Sequence, residues 1–278
     1  MTDPSTVAPS PSPVAPLPTE VVEAIDSARR TLAARGIAHR LTEALGAPVS
    51  AALARLPMGF EERAARVAQR ALRRALGAAM QTLDRRLTVR PRASARLHMG
   101  LVAGVGSLGG AVGLPGLAVE LPLTTILMLR SIADIARAEG EDLDDPGARA
   151  AVLAVFALGT PKSGDATLDL GYYGVRVAIG QGLREAALAL ANGTSRTLVG
   201  GVVTRALEPV VARFSSVVAQ KAVAQSVPVF GALGGAVINT IFIEHYNGLA
   251  RAHFTLRRLE REYGLDAVRG RFEAQANE

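Results

Sequence analysis

The chain has 278 residues, 49% of them hydrophobic, with a formal net charge of +6 at pH 7, no cysteine and no tryptophan. The absence of cysteine excludes a disulfide framework, thiolate chemistry and zinc sites built on sulfur. Aromatic residues make up only 4%, so the interfacial Trp/Tyr belts of a conventional integral membrane protein are not expected.

Residues 1–18 are rich in Pro, Ser and Ala without periodicity, a composition that cannot bury enough apolar surface to offset ordering entropy. They read as a disordered tail. They lack the basic n-region and continuous apolar h-region of a signal peptide, which points to a cytoplasmic location. Thr19 is the expected N-cap of a first helix to about Ala34, with Val21, Val22, Ile25, Ala28 and Leu32 at helical spacing.

From Phe60 to Arg96 there are ten arginines against only Glu61, Glu62 and Asp84. Ala68, Leu72, Leu76, Ala79, Leu83 and Leu87 form an apolar stripe, and Arg63, Arg66, Arg70 and Arg73 fall on a different face. Such a basic amphipathic helix suits anionic lipid headgroups, at ~1 kcal/mol per basic residue near the surface. No nucleic acid is expected, because neither a recognition motif nor interleaved aromatics accompany the arginines. Only Lys162 and Lys221 are lysines, which reads as compositional bias.

Met99 to Val119 is uncharged over nearly the ~20 residues that cross a bilayer. Its eight Leu and Val residues contribute only roughly −2 to −5 kcal/mol of insertion energy, opposed by seven glycines and Pro115. The run is marginal as a membrane span. Gly106, Gly109, Gly113 and Gly116 recur on one helical face and allow close approach of a second helix. Glu120-Leu121-Pro122 reads as the boundary before an ordinary amphipathic helix, in which Arg130 and Asp134 (i, i+4) can pair. If buried, they would neutralise each other.

Asp145-Pro146 marks a strong helix start, followed by a helical pattern to about Leu158. A longer pattern through Leu168 and Ala187 is broken at Asn192-Gly193. A second uncharged run, Ala222 to Ile243, carries Gly231, Gly234 and Gly235 and is the expected partner of the first glycine face. A final helix is expected from Glu244 to about Tyr263. No sustained period-two alternation requires a strand. The expected class is all-α, a multi-helix single domain over 19–265 in which the two Gly/Pro-marked apolar segments pack together, with a polar tail at 266–278.

Gly104-Val105-Gly106-Ser107-Leu108-Gly109 matches G-x-G-x-x-G without the strand before it or the ribose-binding acid after it that a dinucleotide site needs. Val105 also breaks the G-x-S-x-G elbow around Ser107. His245 and His253 share one side of a helix without the H-E-x-x-H spacing of a metal site, so no metal and no cofactor are expected. Glu120, Arg130, Asp134, Asn239, His245 and His253 are the candidates for a polar core network or a ligand site.

Several blocks resemble the EcsC protein family of bacteria. They are Glu120-Leu121-Pro122, Leu129 to Arg137, Glu139 to Leu143, Val155 to Gly159, Gly171 to Arg176, and Val227 to Gly235 followed by Asn239, His245 and Ala252-His253-Phe254. The resemblance covers about Arg63 to Tyr263. It implies a protein of unestablished biochemical activity, with a namesake encoded beside an ABC transporter, and brings no catalytic residues. The expected function is that of a membrane-associated accessory protein at the cytoplasmic face, with anionic lipid and an ABC transporter subunit as partners and no oligomeric state indicated. A lipid or peptide hydrolase using His, Asp and Glu is the alternative.

Overall fold

The computed structural model describes residues 16–34, 36–54, 114–158, 168–191, 208–226 and 231–274, with single positions between 59 and 71. Every regular element among them is helical, as the missing period-two pattern predicts. The helices are α1 (Thr19–Ala33), α2 (Ile37–Leu45), α3 (Ala47–Ala54), α4 (Leu114–Ala138) and α5 (Pro146–Ala154). A 3-10 turn (Val155–Ala157), α6 (Leu168–Ala191), α7 (Glu208–Ser226), α8 (Gly231–Tyr263) and α9 (Leu265–Ala274) complete them.

Helix α1 buries Val21, Ile25, Ala28 and Leu32, the stripe expected from the sequence. Its cap differs: Pro18 is the N-cap, in extended backbone, and Thr19 is already helical. α5 begins as predicted, with the Asp145 carboxylate accepting from the Ala148 N–H at 2.9 Å and Pro146 in the first turn. That cap satisfies one of the orphan donors of the helix start.

The architecture is organised on α8, a continuous helix of 33 residues roughly 50 Å long at 1.5 Å per residue. The expected break at Glu244 does not occur: residues 231–263 form one helix, with Gly248 accommodated inside it. α1, α2, α4, α7 and α9 all pack on α8, and α5 packs on α6. Likewise Glu120-Leu121-Pro122 lies inside α4 rather than at its boundary. The Thr124 and Thr125 hydroxyls there bond the carbonyls of Glu120 and Leu121 at 3.0 and 2.7 Å.

The glycine-face pairing falls mostly on Gly106, Gly109 and Gly113, which lie outside the described residues. Gly116 is within α4 and Gly231 opens α8, where Gly234 and Gly235 are buried. The described part of the first apolar run opens α4, and the second run is divided between the end of α7 and the start of α8; α4 packs on both helices. Among the described residues, no helix is long and apolar enough to cross a membrane.

An aromatic cluster fills the centre. Phe156 of the 3-10 turn meets Phe214 of α7 and Tyr246 of α8 at centroid separations of 4.9 and 4.8 Å, and Phe242 meets Tyr246 at 5.5 Å. Such pairs add about 0.5–1.5 kcal/mol each beyond the burial of their area. The expected polar tail from residue 266 instead contributes α9, whose Val268 and Phe272 are fully buried. Arg271 anchors it by donating twice to Asp26 of α1, at 3.0 and 2.6 Å. Two buried apolar residues four apart suffice to dock a short helix, a signal too sparse to stand out among Asp, Arg and Glu.

Candidate functional site

Helix α4 places Glu120 in the core at 4% exposure, facing α7. Lys221 Nζ lies 2.6 Å from its Oε1, and Gln225 Nε2 donates to Oε2 at 3.0 Å. Lys221 is completely buried, with its ammonium 5.1 Å from the centre of the Phe242 ring. Burial pushes the Lys221 pKa below its ordinary value while Glu120 works against that shift. Glu120 therefore belongs to a buried polar network, built with Lys221 and Gln225 rather than with Arg130 and Asp134. Its partner, Lys221, was readable only as one of two lysines.

Arg130 and Asp134 do not form the expected buried pair. Arg130 is exposed, and Asp134 accepts from Arg137 at 3.3 Å in a pair that is 24% and 38% exposed on the two sides. The amphipathic phase of α4 explains this: Met128, Leu129, Ile132 and Ala133 take the buried positions, leaving residue 130 outside. Asn239 is fully buried on α8.

The two histidines share α8 but not a site. His253 is completely buried, and its Nδ1 lies 3.0 Å from the hydroxyl of Tyr172 on α6. Burial raises the Tyr172 pKa, so the phenol keeps its proton. Arg176 donates to that oxygen at 3.4 Å, which leaves the phenol proton for His253. Burial, reinforced by Arg176 and Arg257, holds the His253 pKa well below 6.5. His245 is 5% exposed and lowered to about 4 by burial and by Arg40. Both rings are neutral near pH 7, and neither Nε2 has a hydrogen-bond partner among the described residues.

Two further clusters tie α8 to its surroundings. Arg176 forms a two-pronged pair with Glu260, both contacts at 2.6 Å, with the guanidinium over Tyr172 and Tyr173 at 5.4 and 5.3 Å. The Gly171–Arg176 block meets the C-terminal block through Tyr172 and His253. At the end of α4, Gly140 takes a left-handed φ of 81°, and the Gly140 and Glu141 N–H groups close onto Arg137 and Ala136, a helix stop that favours glycine. This turn aims Glu141 at Arg257, at 2.8 and 2.9 Å, and at Arg261. Burial alone would raise the Glu141 pKa, but the two arginines outweigh it and hold it low.

The basic segment is described in part. Arg63, Arg66 and Arg70 are exposed, Val67 is half-buried, and Ala71 is in the core at 1% exposure. The spacing 63, 66, 70 keeps the three arginines on one face. Arg73 lies outside the described residues. A groove of about 690 Å³ runs between α1 and α8, and none of the six polar candidates lines it. No cluster of residues suited to a metal occurs among those described.

No curated protein and no solved structure matches the chain. The model of the EcsC protein family matches residues 33–259, from the end of α1 nearly to the end of α8. That span contains the Glu120–Lys221 pair, the Tyr172–His253 contact and the Glu141–Arg257 pair. The chain belongs to the EcsC protein family.

Proposed function

We propose that this protein is a peripheral, membrane-associated accessory protein that docks on anionic lipid at the cytoplasmic face through its arginine-rich segment. The observation that carries this reading is the exposure of Arg63, Arg66 and Arg70 beside a buried Ala71. Three guanidiniums on one face, each able to contribute ~1 kcal/mol at an anionic surface, are enough for reversible binding. The family resemblance adds an ABC transporter subunit as the protein partner of this reading. The hydrolase alternative has less support. Glu120 is tied to Lys221, Asp134 to Arg137, and His245 and His253 are buried apart from the groove.

Flotation with defined vesicles tests the docking face. Arg63→Glu, Arg66→Glu and Arg70→Glu together should weaken binding to anionic vesicles by at least about 100-fold, following the same per-residue energy, and leave the melting temperature unchanged. Equal flotation of a folded variant would show that these arginines are only solvated.

A further inference from the structure

We propose that the groove between α1 and α8 binds a phosphodiester, held between Arg40 and Arg251. This inference goes beyond the membrane-docking reading and rests on different residues. The groove, at about 690 Å³, falls within the size of ligand sites. Elsewhere the arginines of α8 are taken up by acids: Arg257 and Arg261 by Glu141, Arg258 by Glu139. Arg251 and Arg40 line the groove and donate to no described residue. Guanidiniums so placed are suited to phosphate, whose oxygens accept paired N–H donors.

The wall supplies further donors. Asn247 is buried at 4% exposure, and Ser131 donates to its Oδ1 at 2.9 Å, which leaves the Nδ2 hydrogens for the groove. The Ser27 hydroxyl is exposed on the α1 side. Among the described lining residues Glu244 is the single carboxylate, so two guanidiniums and one acid give these a net charge of +1. That matches a phosphodiester, which carries one negative charge, better than a dianionic monoester.

The source can be a soluble diester or a lipid headgroup, and two arms distinguish them. The full chain is titrated calorimetrically with glycerophosphoglycerol and, separately, floated with phosphatidylglycerol vesicles; wild type, Arg40→Gln, Arg251→Gln and Glu244→Gln are compared. Arg251 is exposed and Arg40 partly so, so both variants should melt like wild type. Binding of the soluble diester, weakened at least tenfold by either arginine change and not by Glu244→Gln, identifies a free ester. Binding only to vesicles, with the same dependence, identifies a headgroup. If wild type binds neither probe, or folded Arg40→Gln and Arg251→Gln bind as wild type does, the inference fails. Loss of flotation through Arg63, Arg66 and Arg70 alone leaves the soluble titration to decide, so the two readings fail separately.

Discussion

The two halves of α4 carry two ion pairs of the same chemical kind and opposite character. Near its start, Glu120 pairs with Lys221 from α7, with side chains 2% and 0% exposed. Near its end, Asp134 pairs with Arg137 three residues on, at 24% and 38%. The first brings together charges 101 residues apart in a part of the core closed to solvent. The second is a local surface contact. The strength of an ion pair in this fold is set by what surrounds it, since water screens the outer pair and desolvation makes any loss at the inner one costly.

The sharpest way to break that comparison is Lys221→Met. It leaves the Glu120 carboxylate buried without its cation, and about 3–5 kcal/mol of stability should be lost. Denaturant melts will measure it. Adding Glu120→Leu should return more than half of the loss, because a buried pair replaced by apolar residues is nearly neutral. If Lys221→Met were as mild as a surface change, the inner pair would not be desolvated.

A second test uses acid. His245 and His253 both have folded pKa values below the ordinary 6.5, so between pH 6.5 and about 4 the unfolded chain binds protons that the folded chain refuses. Their contribution is complete above pH 6.5 and is lost as the pH falls toward 4. For His245 the shift corresponds to about 3 kcal/mol at 1.36 kcal/mol per pH unit. The melting temperature should fall steadily across this window, and His245→Gln should flatten the slope. An unchanged slope in that variant would mean that His245 is not the group that resists protonation.

The smallest effect belongs to the outer pair. Asp134→Asn should cost less than about 1 kcal/mol, the usual range for exposed pairs. A loss near that of Lys221→Met would overturn the contrast between the two halves of α4.

Much of the fold was legible locally. The stripe Val21, Ile25, Ala28, Leu32 marked the buried face of α1, and Asp145-Pro146 marked the start of α5. α6 runs to Ala191, and the break expected at Asn192-Gly193 lies outside the described residues. Arg63, Arg66 and Arg70 were assigned a common face apart from the apolar positions, and they are exposed. The site residues were harder to place. Glu120 stood out as an acid in an apolar run, but nothing near it in the chain named Lys221 or Gln225. His253 was visible, yet its partner Tyr172 sits 81 residues away on another helix. Arg40 and Arg251 carry no motif, and what distinguishes them from Arg257 or Arg261 is that no carboxylate among the described residues pairs with them.

Helical periodicity, capping residues and the all-α class were determined by the sequence itself, because they depend on neighbours within about one or two turns. Tertiary structure decided which polar side chains lost water, and therefore which pairs matter. It joined residues 231–243 of the second apolar run and the expected terminal helix into α8, docked α9 through Val268 and Phe272, and set Glu120 against Lys221. Burial of a charge depends on what the rest of the chain packs against it, and no local pattern around Glu120 or Lys221 encodes that packing.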